Sequence, residues 1–530
     1  MSQPSVVSMS AISYTPPQAH DPLFSGVSVT FAKGWTAVAG DNGIGKSTLM
    51  RLLSGQLQPD SGMISPAPKS MVIAYCPQET DIVPPQLESL MNDWSAFAIE
   101  VRQLMDIDEE WLYRYGELSG GEAKRVQLAC AISAQPDVLI LDEPTNHVDA
   151  ETKRHIVEAL QRYQGIGIVV SHDVDLIEAL CTRTVMFERR HISGRNITVV
   201  ELYRGAYEQA VAQRDANDAS RSSALAAARN EVARLQSVRA DRMQAIGKVE
   251  AAKCRSGSID PKDHDARNAH KAAKSTSLDK GVQQRYTQLE GRLKAAQSSA
   301  EALSEAAKRY DARMEFDGDA VGHGRVLSLD RRTVDNAMTA HGIDNYVVDM
   351  GMEGVLGHGV QGGPVGREDM EIQVFVGDHI GISGVNGAGK STLVQAMVHV
   401  LPKDETCLYI EQNTDQQVLQ DAIDRLHALD EQQRSRVLSA YARLNADPDR
   451  LLAGASPSPG ELRKLLLCLG LVGNPRLIIM DEPTNHMDIQ SKESLAQALA
   501  DYPGAVVVIS HDDWFLNKVA DKRWILRRSE

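Results

Sequence analysis

The sequence predicts an α/β chain in which two like nucleotide-binding domains are joined by an α-helical coiled-coil hairpin. Three observations carry that prediction. A glycine-rich phosphate loop ending in Lys-Ser occurs twice, from Gly40 to Ser47 and from Gly384 to Ser391. The phrase Asp-Glu-Pro-Thr-Asn-His-x-Asp follows each loop, at Asp142–Asp149 and Asp481–Asp488. Between the copies lies a stretch poor in β-branched residues whose apolar positions recur at three and four.

The two copies are colinear. Lys46 to Asp142 spans 96 residues and Lys390 to Asp481 spans 91. Short apolar strands lead into the loops (Thr36–Ala39, Ile380–Ser383), and the helix after the first turns Leu49, Leu52 and Leu53 inward. Further apolar runs end at the Asp-Glu pairs (Val138–Leu141, Leu477–Met480) and at Ser-His-Asp phrases (Ile166–Val170, Ala505–Ile509). Continuous apolar strands alternating with helices indicate a mainly parallel sheet covered on both faces. The domains are therefore placed at 1–202 and 323–530, with a linker at 203–322.

In the linker, Leu225, Ala228, Val232, Leu235, Ile246 and Val249 form one apolar stripe. Tyr286, Leu289, Leu293, Ala296, Ala300, Leu303 and Ala307 form a second. The rhythm puts Arg239 and Arg242 on the seam, so a slip of register is expected there. Two helices of roughly 30 residues would make a hairpin about 45 Å long, turning within the polar stretch Cys254–Gly281. From Glu208 to Glu315 the linker carries 20 Lys and Arg against 15 Asp and Glu, whereas the whole chain has a net charge of −15. A basic projection between acidic domains suggests a polyanionic partner for the projection alone.

A chain of 530 residues can hold two or three cores. Its acidity argues against a general nucleic-acid coat. Its longest apolar runs, such as Leu462–Val472, are too short to cross a bilayer, and the first residues do not read as a signal peptide. Cys76, Cys130, Cys181, Cys254, Cys407 and Cys468 are scattered without a C-x-x-C pair. The expectation is reduced thiols, neither zinc nor disulfides, and a cytoplasmic location.

The motifs specify chemistry. Backbone N–H groups of Gly40, Asp41, Asn42, Gly43, Ile44, Gly45, Lys46, Ser47 and Thr48 would surround phosphate oxygens at a helix N-terminus. Gly384, Val385, Asn386, Gly387, Ala388, Gly389, Lys390, Ser391 and Thr392 would do the same in the second copy. Lys46 and Lys390 would reach the β- and γ-phosphates of ATP, while Ser47 and Ser391 ligate Mg2+. Asp142 and Asp481 end buried strands beside that metal. Glu143 and Glu482 are the candidates for polarising the attacking water. Gln78 and Gln412 follow short strands and are candidates for contacting metal and water. His172 and His511 are candidates for a γ-phosphate contact.

These elements in this order resemble the ATP-binding cassette superfamily. The duplicated Asp-Glu-Pro-Thr-Asn-His-x-Asp, the charged helical linker opening at Tyr203–Tyr207 and the lack of a membrane span resemble its ABC-F branch. The fold that the resemblance implies is two P-loop NTPase ATP-binding cassette domains with a hairpin linker, in a monomer whose cassettes pair intramolecularly. In that family the cassettes close face to face on two ATP molecules, and the linker reaches large-subunit rRNA and tRNA near the ribosomal exit site. The signature Leu118-Ser119-Gly120-Gly121-Glu122 then acts on ATP held by Lys390.

The second signature departs from the pattern. Pro457-Ser458-Pro459-Gly460-Glu461 takes its place, equally 20 residues before its aspartate. Ser458 and Gly460 survive, but Pro459 removes a backbone donor, so the site built on Lys46 is expected to hydrolyse more slowly. Tyr14 lies 26 residues before Gly40 and is the candidate for stacking on adenine; the same distance before Gly384 falls on His358, which gives no aromatic counterpart. Only 40 residues separate Gln78 from Leu118, so the arm insertion of some relatives is expected to be absent.

The leading reading is an ATP-dependent ribosome-binding translation factor, either general or giving ribosome protection against a large-subunit antibiotic. One alternative is an ATPase acting on DNA or branched nucleic acid, although there the coil usually interrupts a cassette. Another is the fused ATPase subunit of a membrane importer, which the long basic linker disfavours.

Overall fold

The computed structural model describes residues 4–17, 21–146, 148–192, 195–255, 265, 288–298, 305–306, 324–343, 346–350, 371–385, 387–402, 406–412, 416–454, 456–485 and 487–528. Two compact units divide the chain. Met1–Glu188, Thr198–Ala210 and Arg309–Glu530 make one, which holds both cassettes; Arg189–Ile197 and Val211–Lys308 make the other.

The first cassette opens with an antiparallel sheet in which β1 (Val6–Tyr14) lies between β2 (Phe24–Ala32) and β4 (Ser61–Ser65). Its second layer is parallel. There β3 (Gly34–Gly40), β5 (Ile73–Cys76), β6 (Val138–Asp142), β7 (Ile166–Val170) and β8 (Arg183–Ile192) run in the order β8-β3-β7-β6-β5. Every residue of β6 and β7 is buried, as a central strand with helices on both faces requires. The helix Lys46–Leu53 has only 8 residues, too few to hold by propensity. Complete burial of Leu49, Leu52 and Leu53, worth about 1.5–3 kcal/mol each, fixes it instead.

The second cassette repeats this order with His379–Gly384, Leu477–Asp481, Ala505–Ile509, Lys522–Arg528 and Cys407–Ile410, and adds Tyr346–Asp349 antiparallel on the edge. Its antiparallel layer pairs Arg325–Asp330 with Glu371–Phe375. Between these the chain forms a helix, Arg331–Ala340, capped by Asp330. In both cassettes the phosphate loop leaves the carboxyl end of a central parallel strand, where open α/β sheets place ligands.

In the other unit the helix Tyr207–Arg255 is 49 residues long, about 73 Å, well beyond the roughly 30 residues expected. It carries Cys254 within it, so the chain does not turn there; residues 256–264 and 266–281 lie outside the described residues. Leu235 packs against Leu289 and Leu293, with Val232, Val238 and Ala296 at the margin. The seam thus runs from Leu235 to Val238. Arg239 stands beside it and pairs with Glu290 at 3.4 Å, while Arg242 is exposed. The expected slip takes the form of a three-residue step that spares the arginines. Leu225 is buried. The side chains of Ile246 and Val249, and residues Tyr286, Ala300, Leu303 and Ala307, lie outside the described set.

Among the described residues no helix is long and apolar enough to cross a membrane. Cys76, Cys130, Cys181 and Cys468 are buried free thiols and Cys407 is half-buried. Burial pushes the Cys76 thiol up to about 11 and those of Cys130, Cys181 and Cys407 to about 12.

Candidate active site

Both phosphate loops open onto one cavity of ≈ 1130 Å3, lined from both cassettes. Asn42, Gly43, Gly45, Lys46, Ser47 and Thr48 line it with Gln78, Asp142, Glu143 and His172. Gly387, Gly389, Lys390, Ser391 and Thr392 line it with Gln412, Asp481, Glu482 and His511. Ile44 and Ala388 point into the cores, and Asn386 lies outside the described residues. Gly40, Asp41, Gly384 and Val385 contribute from behind, through backbone carbonyls. Lys46 Nζ donates to the carbonyls of Gly40 (2.7 Å) and Asp41 (3.0 Å), and Lys390 Nζ to those of Gly384 (2.7 Å) and Val385 (3.1 Å). Burial lowers both lysines, opposed by Glu143 at Lys46 and by Glu482 at Lys390.

Each glutamate has a left-handed backbone, with φ +48° at Glu143 and +47° at Glu482. Such a conformation is costly for a side chain other than glycine and is held only where its surroundings enforce it. Here the glutamate N–H donates to the end of the next strand, to Val170 at 2.8 Å and Ile509 at 2.9 Å. The carboxyl is thereby turned towards the histidine of the Ser-His-Asp phrase, with 3.5 Å between Glu143 Oε1 and His172 Nε2 and the same between Glu482 Oε1 and His511 Nε2. Burial pushes Glu143 up to about 7 and Glu482 up to about 8, the range in which a carboxylate can act as a base near neutrality. The histidines move the other way. Burial, reinforced by the neighbouring lysine, holds His172 well below its usual value and His511 at about 4. Both are neutral imidazoles, with Nε2 3.2 Å from Lys46 Nζ and 3.0 Å from Lys390 Nζ.

Two further pairs of residues act here, and neither was singled out from the sequence. Lys124 donates to the backbone carbonyls of Pro77 (2.9 Å) and Gln78 (3.0 Å), and Arg463 to those of Gln412 and Asn485 (both 2.6 Å). Each is a buried cation two residues after the signature glutamate, clamping the glutamine loop to the signature helix. The second pair is Lys153 and Lys492, four residues after Asp149 and Asp488. Lys153 stays in its own cassette, with Asp173 at 2.7 Å and Asp175 at 3.1 Å. Lys492 pairs with Asp512 at 2.7 Å and also reaches the His172 carbonyl of the other cassette at 2.9 Å. A signal was available for both: a cation at matching positions of the two repeats.

The signature residues Ser119, Gly120, Gly121, Ser458 and Gly460 stand outside the cavity lining. Ser119 and Ser458 cap the helices Gly120–Ser133 and Pro459–Leu471 with near-identical geometry, so Pro459 at the first helical position leaves the cap undisturbed. The hydroxyls act alike: each accepts from the N–H of its signature glutamate and each also meets that glutamate's carboxylate, Ser458 Oγ donating to Glu461 Oε2 at 2.8 Å. Charges do cross between cassettes, for Asp488 acts on Lys46 and Asp149 on Lys390. Tyr14 is half-buried against the first core, and Leu23 rather than Tyr14 lines the cavity. His358 lies outside the described residues.

The donor sets fit a hard divalent cation. Near each lysine a serine hydroxyl, a strand-end carboxylate and a glutamine amide line the cavity: Ser47, Asp142 and Gln78, or Ser391, Asp481 and Gln412. Glu143 Oε1 and Glu482 Oε1 are buried without a hydrogen-bond partner, as expected of groups aimed at a reactant.

Comparison with known proteins agrees with this geometry. The ABC transporter family matches residues 24–146 and 368–485, once per cassette. The ATP-binding protein Uup of Caulobacter vibrioides is 28% identical over 519 residues, covering 94% of this chain and 74% of that protein. The ATP-binding protein YbiT of Escherichia coli O157:H7 is 24% identical, covering 94% and 92%. Among solved structures, RNase-L Inhibitor shares the fold with a TM-score of 0.56 and 15% identity over 98% of this chain and 90% of that one. An archaeal ribosome recycling factor, aABCE1, solved with the ribosomal stalk protein aP1, gives 0.56 and 15% over 97% and 89%. Two matched cassettes, ATP-binding relatives aligned over 94% of this chain and no membrane-spanning helix among the described residues place this chain in the ATP-binding cassette superfamily as an ABC-F-type ATPase.

Proposed function

We propose that this ATPase is a ribosome-binding translation factor in which ATP pairs the cassettes and the basic linker engages rRNA and tRNA. Cassette, linker and cassette correspond in this reading to 1–202, 203–322 and 323–530. The observation that carries it is the single cavity onto which both phosphate loops open, with the Asp488 and Asp149 charges each acting on the other cassette's lysine. Two ATP molecules bound there would lie between like halves, so their presence or absence biases the halves between two arrangements. That the structurally similar aABCE1 is a ribosome recycling factor favours a ribosomal partner for a chain of this design.

The residues divide the work. Loop N–H groups with Lys46 and Lys390 hold the phosphates; Ser119 with Gly120 and Gly121, or Ser458 with Gly460, complete each site from across the interface on closure. Ser47, Asp142 and Gln78, with Ser391, Asp481 and Gln412, would hold magnesium, which when bound neutralises charge on the β- and γ-phosphate oxygens. Glu143 and Glu482 accept the proton of the attacking water, and the neutral His172 and His511 orient it against the γ-phosphate. Tyr14 stays the candidate for stacking on the base of the first nucleotide, and Leu23 lines the cavity beside the first loop.

The test is the Glu143→Gln/Glu482→Gln protein with ATP. Retention on 50S-containing ribosomes and arrested translation are expected. A protein that pairs its cassettes on ATP yet ignores ribosomes overturns the reading, and its retention on DNA instead would favour an ATPase acting on DNA. Protection against a large-subunit antibiotic is the narrower form of the proposal, and growth of an expressing strain on such drugs tests it.

A further inference from the structure

The two phosphate loops are packed alike but by different elements. A Cβ on Gly45 would fall 2.7 Å from Phe24 Cζ and 3.0 Å from Leu23 Cδ2, while one on Gly389 would fall 2.7 Å from Met338 Sδ and 2.9 Å from Ile343 Cδ1. Ile343 therefore stands to the second loop as Leu23 stands to the first. Leu23 enters a strand, whereas Ile343 belongs to the turn ending the helix Arg331–Ala340.

That turn is rigid. The Gly342 N–H donates to Thr339 at 3.0 Å and the Ile343 N–H to Met338 at 2.9 Å, with Gly342 at φ +72°. These are the paired bonds of a Schellman cap, and Met338 with Ile343 supplies its apolar contact. His341, Gly342 and Ile343 line the cavity beside Gly389 and Lys390. His341 Nδ1 lies 2.9 Å from the Ala337 carbonyl. A carbonyl only accepts, so Nδ1 carries the proton and Nε2 is left as an acceptor.

We propose that this turn is the base-binding subsite of the second nucleotide site and that His341 makes it select adenine. Ile343 offers an apolar contact to a purine. The His341 Nε2 acceptor pairs with the exocyclic amine of adenine, whereas the 6-keto oxygen of guanine or hypoxanthine sets acceptor against acceptor. The subsite presupposes that Lys390 holds phosphate, as proposed above.

The experiment uses full-length Lys46→Ala protein, in which only the second site remains, and displaces ribose-labelled ATP with unlabelled ATP or ITP. ATP is expected to displace at about tenfold lower concentration than ITP, the effect of one mismatched hydrogen bond. Adding His341→Ala should bring the two within about twofold, and adding His341→Lys, which only donates, should favour ITP. Lack of preference in the Lys46→Ala protein, or a preference that His341→Ala leaves intact, overturns the subsite. Label retained by Lys46→Ala/Lys390→Ala protein instead overturns the assignment of the phosphate lysines, and the subsite with it.

Discussion

Lys492 Nζ of the second cassette donates to the backbone carbonyl of His172 in the first, and only 2.7 Å away it also holds its own Asp512. The matching Lys153 turns to Asp173 and Asp175 of its own cassette. The His172 carbonyl is therefore bonded by a lysine of the opposite half, a contact that Lys153 does not repeat towards His511 among the described residues. Lys492→Met should lower stability by up to about 3 kcal/mol, because the nearly buried Asp512 loses its cation and keeps, among the described residues, only the Phe515 N–H, and should slow ATP hydrolysis about tenfold. Lys492→Met/Asp512→Asn separates the two effects: it should regain most of the melting temperature but little of the ATPase rate. Full recovery of the rate would show that the contact with His172 is only structural.

The second signature predicts unequal sites. Pro459 offers no N–H at the position that Gly120 holds in the first signature. That difference slows the site built on Lys46. Glu143→Gln is expected to leave most of the steady-state ATPase, and Glu482→Gln to remove most of it. Equal residual rates would dispose of the asymmetry. Pro459→Gly should raise the activity that remains in the Glu482→Gln background.

The cations behind the glutamine loops act on position, since neither touches the cavity. Arg463→Met releases the Gln412 carbonyl, and Lys124→Met releases those of Pro77 and Gln78. Each should lower kcat about tenfold or more with KM for ATP nearly unchanged, as expected when a group acts in the transition state rather than in binding. Arg463→Lys and Lys124→Arg should recover part of the loss. A rise in KM at constant kcat would assign these residues to nucleotide affinity.

Burial of Glu143 makes a pH prediction for the protein without nucleotide or metal. Its folded value of about 7 lies above the ordinary glutamate value of 4.5, so between those pH values the native state binds a proton that the unfolded chain has released. The stabilisation is complete below about pH 4.5 and is lost as pH rises through about 7. Glu143→Gln should therefore melt higher than the parent above pH 7, by up to roughly 2–3 kcal/mol, and the difference should vanish towards pH 4.5. Melting curves at three pH values decide it. A constant difference would mean that Glu143 does not titrate in this range.

The sequence revealed most where local pattern and tertiary role coincide. Val138–Asp142 and Ala505–Ile509 are buried throughout, and their unbroken apolar runs could be read directly. The phosphate loops, Asp-Glu pairs and Ser-His-Asp phrases all reach the cavity edge because each ends such a strand. What escaped depends on contacts between distant segments. Leu23 lines the cavity, packed beside Gly45, and nothing in its local sequence marks it out. The helix Arg331–Ala340 has only Val334 and Met338 fully buried, too sparse a pattern to stand out. Arg239 fell on the linker seam by counting, until Val238 took the place. Lys124 and Arg463 resembled ordinary helix-surface cations, and only the fold shows that their ammonium and guanidinium groups are buried against carbonyls.

The burial of the thiols has a practical consequence. Cys76, Cys130, Cys181 and Cys468 are shielded from solvent, and Cys407 is partly so, with its thiol held far from ionisation at neutral pH. Once Cys254 is replaced by serine, surface cysteines engineered one on each cassette could carry a donor and acceptor dye against a quiet background. Energy transfer between them would follow the two halves molecule by molecule as nucleotide is added, turning the pairing of the cassettes into a signal that can be watched in real time.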